Sequence, residues 1–407
     1  MNVVFLSPHF PLHFYNFCDR LKQAGAHVLS IGDAPYDSLP NEVKNAVTEY
    51  YYLPSLENYD DVMRAVAYYI HRYGRIDHVE SQNEYWLELE ARLRTDFNIA
   101  NGWKAADMEA VKRKSRMKKG YAKAHVKTAR WRLVTSLEDA IAFADEVGYP
   151  IIVKPDNGVG AGNTWRIDCR QALCERHAQT LQHYPTGHFI MEEFVPGHVE
   201  TFDGITDAQG NIVFCTGQVM KVTPLAMLSG TGENVSYTQP VERTDLMDIG
   251  SRVVKAFGVK NRFFHFEFFR LDVDKPGIGH KGEVLGLEVN MRAPGGYIPD
   301  KMNYAYDVDV YRIWAETLVW GGNHSFGSAQ FKRYVTHFGR GATVTYRHTA
   351  DEIRAMFGNR LLIEKAPPKG IAGGMGAYVF VAWSDSVEEL EAQARYVMER
   401  ADGTNWI

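Results

Sequence analysis

The hydrophobic positions of the first hundred residues switch between two periods. Continuous apolar runs, typical of buried strands, alternate with segments in which apolar side chains recur every three or four residues, as on helices packed against a sheet. The runs predict strands at Val3–Ser7, Ala26–Ile31 and Ile76–Glu80, and the segments between them predict helices at Phe14–Gln23 and Tyr59–Tyr73. This alternation indicates a small parallel sheet covered by helices over about residues 1–100.

The rest of the chain carries longer helical patterns and further strands. We expect helices at Trp103–Lys127, Ser136–Val147, Arg243–Phe257 and Asp307–Trp320, and strands at Tyr149–Pro155 and His188–Val195 and twice within Thr201–Lys221. Val222–Ser236 is predicted to be a long loop of the kind that can act as a lid. Near the end of the chain the pattern predicts a strand at Ala377–Ala382 and a helix from Val387 to about Gly403.

Two further strands, Phe263–Leu271 and Glu283–Met291, are joined by turn residues and predict a hairpin. Side chains alternate along a strand, so Glu288, Asn290 and Arg292 project from one face. Glu267 lies among aromatic residues on the partner strand, where an unpaired carboxylate would be costly. Two carboxylates and an amide oxygen on adjacent strands form an oxygen-rich site suited to Mg²⁺. The alternative for each acid alone is a solvated sheet face.

Composition narrows the class of protein. The chain has 407 residues, which suggests about two or three domains, and 45% of them are hydrophobic. The net charge of −5 argues against a nucleic-acid or membrane-surface binder, and no apolar run is long enough to span a bilayer. The first residues look like a strand rather than a signal peptide, and the four cysteines form no C-x-x-C pair. A reduced, cytoplasmic protein is expected.

Of two loops that follow predicted strands, one is a candidate for binding phosphate and the other is not. Lys154 ends a buried strand and is followed by a loop with Gly158, Gly160 and Gly162, whose backbone N–H groups can approach an anion closely. No Gly-Lys-Ser/Thr follows, so this is not a Walker loop. The first strand leads into Ser7–Pro11 rather than a glycine-rich turn, so a dinucleotide fold is not favoured, and His9 and His13 are interpreted as ordinary loop residues.

These residues resemble the motifs of ATP-grasp ligases. The matching features are Glu267, the run Glu288–Arg292 with Gly295 and Gly296, and the Lys154 strand with its glycine-rich loop. The resemblance covers roughly Lys114 to Gly296. It implies ATP and Mg²⁺ as cofactors, with Mn²⁺ as an alternative metal.

The resemblance also implies roles for individual residues. Glu267, Glu288 and Asn290 would hold the metal, Arg292 would bind the transferred phosphate, and Lys114 and Lys154 would contact the phosphates under a loop containing Gly160 and Gly162. Lys112 and Lys118 remain rivals of Lys114. Glu192, Glu193, Phe194 and Val195 would meet the adenine, and Glu200, one position from the family's usual acid, would meet the ribose. Glu84 at the end of a parallel strand, with Gly295 and Gly296, is a candidate for substrate binding.

The implied fold class is α/β (α+β): an ATP-grasp fold behind an N-terminal Rossmann-like parallel domain. The expected division is 1–100, then 101–320 with a lid subdomain at about 120–195, then 321–407 as an α/β subdomain that completes the catalytic domain. The implied activity is a carboxylate–amine ligase that works through an acylphosphate, with amino acids as candidate substrates. The expected partners are small molecules rather than nucleic acid or a membrane, and a homodimer is a further expectation. A biotin-carboxylase-like enzyme and a catalytically silent nucleotide sensor remain alternatives.

Overall fold

The computed structural model describes residues 1–158, 163–222, 232–367 and 372–404. The predicted loop glycines Gly160 and Gly162, and most of the predicted lid loop Val222–Ser236, lie outside these residues.

The N-terminal segment forms a four-stranded parallel sheet in the order β3-β2-β1-β4. Its elements are β1 (Asn2–Leu6), α1 (Tyr15–Gln23), β2 (His27–Gly32), α2 (Asn41–Ala46), β3 (Glu49–Tyr52), α3 (Tyr59–Tyr73), β4 (His78–Glu80) and α4 (Leu87–Asp96). The parallel sheet predicted from the alternation is confirmed, and α3 has the predicted bounds. Helices α2 and α4 and strand β3 are additional.

A second, antiparallel sheet of four strands has the order β5-β8-β6-β7. Its region contains α5 (Met108–Lys112), α6 (Lys114–Lys123), β5 (Trp131–Leu133), α7 (Leu137–Val147), β6 (Ile151–Pro155), β7 (Trp165–Ile167), α8 (Arg170–Gln179) and β8 (Phe189–Glu193). The single helix predicted at Trp103–Lys127 is wrong: the chain leaves the helical conformation at Arg113. Arg113 forms a β-bridge with Asn157 there, a long-range contact that local periodicity does not contain.

The largest sheet has eight strands in the order β13-β12-β9-β10-β11-β14-β16-β15. Its region contains β9 (Gly197–Thr206), β10 (Ile212–Met220), β11 (Asn234–Gln239), α9 (Leu246–Phe257), β12 (Phe263–Leu271), β13 (Val284–Asn290), α10 (Ile298–Tyr306), α11 (Val310–Trp320), β14 (Tyr334–Arg340), α12 (Ala350–Phe357), β15 (Leu361–Lys365), α13 (Ala372–Met375), β16 (Tyr378–Ser384) and α14 (Val387–Met398). The predicted β12–β13 hairpin is confirmed. Two boundaries were wrong, because Asn234–Ser236 belongs to β11 rather than to a loop and α14 ends at Met398, before Gly403.

Apolar packing joins the parallel sheet to the largest sheet. Phe17 of α1 packs edge-on against Phe263 of β12 and against Tyr311 and Trp314 of α11. All four side chains are buried in one cluster. The N-terminal segment is therefore held against the strands that carry the candidate metal ligands. No helix in the described ranges is long and apolar enough to cross a membrane.

Candidate active site

Glu267 and Glu288 lie directly opposite each other on β12 and β13, and His265 lies opposite Asn290. The Glu267 and Glu288 side chains are 17% and 15% exposed, so a small cation can still reach both. Burial raises the pKa of Glu288, which the charge of Lys114 opposes only in part. Burial also acts to raise the pKa of Glu267, but the hydrogen bond and charge of His265 hold that pKa below its usual range.

This pair of carboxylates fits a divalent cation. Like charges directly opposite each other destabilise a sheet unless a cation lies between them. Neither amide atom of Asn290 has a hydrogen-bonding partner among the described residues, so its oxygen is available. No group of three or more His, Cys, Asp or Glu in the described ranges is arranged to hold a metal. Two carboxylates and one amide would therefore form a partial set of oxygen ligands, which suits Mg²⁺ completed by water and phosphate oxygens.

Lys114 connects the start of helix α6 to this pair. Its Nζ lies 3.5 Å from Glu288 Oε1 and donates a hydrogen bond of 3.3 Å to the Gly158 carbonyl oxygen, beside the glycine-rich loop. Burial lowers the pKa of Lys114, but the neighbouring Glu288, Glu84 and Glu192 raise it above its ordinary value. Lys114 is therefore held as a buried cation between the Gly158 carbonyl oxygen and Glu288 of β13.

The position of Lys114 depends on Asp156, which the sequence analysis did not single out. The Asp156 carbonyl oxygen accepts a 2.8 Å hydrogen bond from the Lys114 backbone N–H. The Asp156 carboxylate accepts from the backbone N–H and the hydroxyl of Ser115 at 2.8 and 3.0 Å. A carboxylate at a helix N-terminus satisfies free N–H groups and interacts favourably with the helix dipole. Asp156 thus fixes the first turn of α6 against the end of β6.

Glu192 holds two further lysines. Lys118 Nζ lies 2.6 Å from Glu192 Oε1, and Lys154 Nζ lies 2.5 Å from Glu192 Oε2. Burial acts to raise the pKa of Glu192, but the two ammonium groups lower it to about 2. The rivals of Lys114 thus have different partners: Lys118 pairs with Glu192, and Lys112 lies 3.7 Å from Glu84. Of the three, only Lys114 contacts a predicted metal ligand.

Arg292 contacts the parallel sheet of the N-terminal segment. Its Nη2 donates a 2.7 Å hydrogen bond to Glu84 Oε2, and the neighbouring Ala293 N–H donates to Gln82 Oε1 at 3.1 Å. Burial acts to raise the pKa of Glu84, but Arg292 and Lys112 bring it below its usual range. The edge of the parallel sheet therefore closes one side of the site. The predicted substrate residue Glu84 and the predicted phosphate-binding Arg292 are direct partners.

The loop after Arg292 leaves space for a ligand. A Cβ atom at Gly295 would have no neighbour within 4 Å. Gly296 has φ of 61°, a left-handed conformation that favours glycine. Gly295 and Gly296, the two predicted substrate positions, therefore present backbone groups rather than side chains to a ligand.

The segment predicted to meet adenine begins in β8. Glu193 forms a bidentate pair with Arg130 at 2.7 and 2.9 Å, so its carboxylate is already occupied. Val195 is buried in an apolar cluster, and the Phe194 ring lies 4.7 Å from the Arg166 guanidinium. An apolar surface with nearby backbone groups suits a flat, neutral base.

Glu200, the predicted ribose residue, lies on β9. It pairs with Arg270 at 2.8 Å and with His198 at 3.4 Å. Burial acts to raise the pKa of Glu200, but these two partners lower it. Its carboxylate is therefore charged and held from two sides.

The sequence analysis missed His265. Its ring contacts both Glu267 and Asp203. Burial acts to lower the pKa of His265, but the two carboxylates raise it to about 9. A histidine two positions before Glu267 on the same strand face was the available signal.

Comparisons with known proteins show which sequences this chain resembles. Residues 109–225 match the family described as "Carbamoyl-phosphate synthase L chain, ATP binding domain". The L-arginine-specific L-amino acid ligase of Bacillus subtilis is 26% identical over 277 residues, which cover 63% of this chain and 60% of that protein. The carbamoyl phosphate synthase large chain of Clavibacter michiganensis is 26% identical over 171 residues, which cover 40% of this chain and only 15% of that protein.

Solved structures match along nearly the whole chain. The L-amino acid ligase from Bacillus licheniformis superimposes with a TM-score of 0.70 at 18% identity, covering 97% of this chain and 96% of that one. Phosphoribosylglycinamide synthetase from Anaerococcus prevotii gives 0.65 at 14% identity, covering 100% and 99%. These matches confirm the predicted fold class. The chain belongs to the ATP-grasp superfamily.

Proposed function

We propose that this protein is an ATP- and Mg²⁺-dependent carboxylate–amine ligase, with amino acids as its substrates. The observation that carries the proposal is the contact of Lys114 with Glu288. The Nζ of Lys114 is a cation suited to phosphate, and it lies 3.5 Å from Oε1 of Glu288, a carboxylate suited to a metal. The likeness to two L-amino acid ligases supports amino acids as substrates.

In the proposed reaction the γ-phosphate of ATP is transferred to a substrate carboxylate. The new bond joins the carboxylate oxygen to phosphorus, and ADP leaves. An amine then attacks the acyl carbon, the C–O bond breaks, inorganic phosphate leaves, and the amine loses a proton. This chemistry needs charge neutralisation and positioning rather than a protein nucleophile.

Each side chain of the site has a proposed part in this reaction. Lys114 and Lys154 neutralise the phosphates, and Arg292 steadies the transferred group as a planar double donor. Glu267, Glu288 and Asn290 would hold Mg²⁺, which would neutralise negative charge on the phosphates. The N–H groups of Gly295 and Gly296, together with Glu84, would orient the substrates.

The test is phosphate release from ATP in the presence of Mg²⁺. The protein is incubated with amino acids singly and in pairs, and product mass is measured in parallel. The matched variants are Glu288→Gln in the site and Glu283→Gln in the loop before the same strand, where the Glu283 side chain is 40% exposed. We expect phosphate release that requires a particular pair, persists in Glu283→Gln and falls at least a hundredfold in Glu288→Gln.

Three outcomes would contradict the proposal or part of it. Turnover in Glu288→Gln equal to that of the unmodified protein would remove Glu288 from the site. Release that requires bicarbonate and biotin instead of an amine would favour the carboxylase alternative. ATP binding without turnover on any of these substrates would favour the silent sensor.

A further inference from the structure

A buried chain of hydrogen bonds, ending in an ion pair between His265 and Glu267, leads through the largest sheet to Glu267. His265 pairs across the sheet with Asp203 of β9, and Glu267 pairs with Thr201. Because these residues are two apart on each strand, all four side chains lie on one face. Thr201 and Asp203 have no exposed surface, and His265 is 4% exposed.

The distances define how each group in this chain is held. His265 Nδ1 lies 2.5 Å from Asp203 Oδ1, and its Nε2 lies 3.2 Å from Glu267 Oε1. The other Asp203 oxygen accepts a 2.5 Å hydrogen bond from the Thr201 hydroxyl. The Thr201 hydroxyl in turn accepts a 3.0 Å hydrogen bond from the backbone N–H of Gln218. A backbone group of β10 is thus connected to the Glu267 carboxylate through three side chains.

The imidazole ring of His265 satisfies both neighbouring carboxylates if each of its nitrogens carries a proton. Carboxylates only accept hydrogen bonds, so both ring nitrogens of His265 must donate. Asp203 fixes the ring at one nitrogen, and the other nitrogen fixes Glu267 Oε1. No hydrogen bond or ion pair occupies Glu267 Oε2 among the described residues.

We propose that His265 and Asp203 are positioning residues that hold the Glu267 carboxylate by Oε1 and leave Oε2 as its one metal-binding oxygen. This inference rests on the proposed metal site. Groups that orient a metal ligand in this way typically change metal affinity by about 10- to 100-fold when they are removed. Glu267 requires a fixed orientation because it faces Glu288, and a carboxylate that is free to rotate would turn away from a like charge.

The test measures Mn²⁺ binding by electron paramagnetic resonance, with a non-hydrolysable ATP analogue present. The variants are His265→Gln, Asp203→Asn and Glu267→Gln. The matched control is His337→Gln, because His337 is also buried in this sheet but bonds the Met375 carbonyl oxygen instead of a carboxylate. Circular dichroism checks folding, and analogue binding in EDTA measures nucleotide affinity without metal.

We expect His265→Gln to raise the Mn²⁺ dissociation constant at least tenfold and Asp203→Asn to raise it about three- to tenfold. His337→Gln should stay within twofold, and metal-free analogue binding should stay within twofold in all variants. A KM for Mg²⁺ that rises more than the KM for ATP would agree. Unchanged Mn²⁺ affinity in folded His265→Gln and Asp203→Asn, with loss of binding in Glu267→Gln, would overturn the inference and leave the metal site intact. Unchanged affinity in Glu267→Gln would overturn the proposed metal site and this inference together.

Discussion

Replacing Arg262 by methionine tests the buried contact between the N-terminal segment and the start of β12. Arg262 is 1% exposed, and its Nη2 lies 3.3 Å from Glu90 Oε2 and 3.5 Å from Glu80 Oε2. Arg94 also serves both acids, at 2.6 Å from Glu90 and 3.4 Å from Glu80. The variant Arg262→Met would keep an apolar stem against Trp103 but leave two buried carboxylates with one guanidinium.

The expected loss follows from these distances. Breaking a buried ion pair typically costs about 3–5 kcal/mol of unfolding free energy. Both Arg262 contacts are longer than the main Arg94 contact, so we expect the lower end, about 3 kcal/mol. The matched control is Arg64→Met, because Arg64 is 68% exposed in its pair with Asp61. An exposed pair of this kind is worth about 0–1 kcal/mol.

The loss should depend on pH. Burial already raises the pKa of Glu80 despite the neighbouring arginines. Losing Arg262 raises it further above the value in the unfolded chain, so the folded protein loses stability as pH rises from the unfolded-state pKa towards the folded-state pKa of Glu80. The destabilisation of Arg262→Met should therefore be smaller at pH 5 than at pH 8.

Urea unfolding followed by tryptophan fluorescence and circular dichroism gives the two free energies at each pH. The second substitution Glu80→Gln, added to Arg262→Met, should recover part of the stability at pH 8. The reasoning is refuted if Arg262→Met costs no more than Arg64→Met, or if its cost is the same at both pH values.

Three further changes have expected outcomes. Burial lowers the pKa of Lys301 to about 7, so the folded protein should gain stability as pH rises from about 7 towards 10.5. The substitution Lys301→Met should raise the unfolding midpoint at pH 6 and remove this dependence of stability on pH. An unchanged midpoint would contradict this expectation. A Cβ atom at Gly286 would lie 2.4 Å from the Tyr121 ring, so Gly286→Val should cost at least about 1–3 kcal/mol in urea unfolding, and a neutral result would show that the ring can move away. The Ser136 hydroxyl caps α7 through the Asp139 N–H at 3.1 Å, so Ser136→Ala should cost about 1 kcal/mol by the same measurement, while Ser136→Thr should cost less than half as much.

Local sequence patterns were sufficient to predict an element where the residues of that element alone determine its conformation. The β12–β13 hairpin was predictable because its strands are rich in aromatic and β-branched residues and are bounded by turn residues. Strand β14 was missed because its buried positions include Thr336, His337 and Arg340. All three residues pair with β16, and Thr336 and His337 also pair with β11, so their burial reflects sheet position rather than an apolar pattern.

The candidate site could be predicted only as separate groups. The sequence located Glu84 and Arg292 individually, but their direct hydrogen bond joins residues 208 positions apart. It could not choose among Lys112, Lys114 and Lys118 either. That choice depends on the break at Arg113, which is made by hydrogen bonding to the segment after β6. Contacts between distant segments, and the neutralisation of buried charge that they provide, are absent from any local pattern.

The existing ion pairs limit how nucleotide can enter the proposed site. Lys114, Lys154 and Arg292 each already contact a buried or largely buried carboxylate: Glu288, Glu192 and Glu84 respectively. Phosphate oxygens that take these cations would leave Glu288 without its partner, which is costly in a buried site, whereas Glu192 would keep Lys118 and Glu84 would keep Lys112. A divalent cation arriving with the nucleotide would compensate Glu288, and a substrate ammonium group would compensate Glu84. Charge balance at Glu288 would therefore favour entry of ATP into the proposed site as its Mg²⁺ complex.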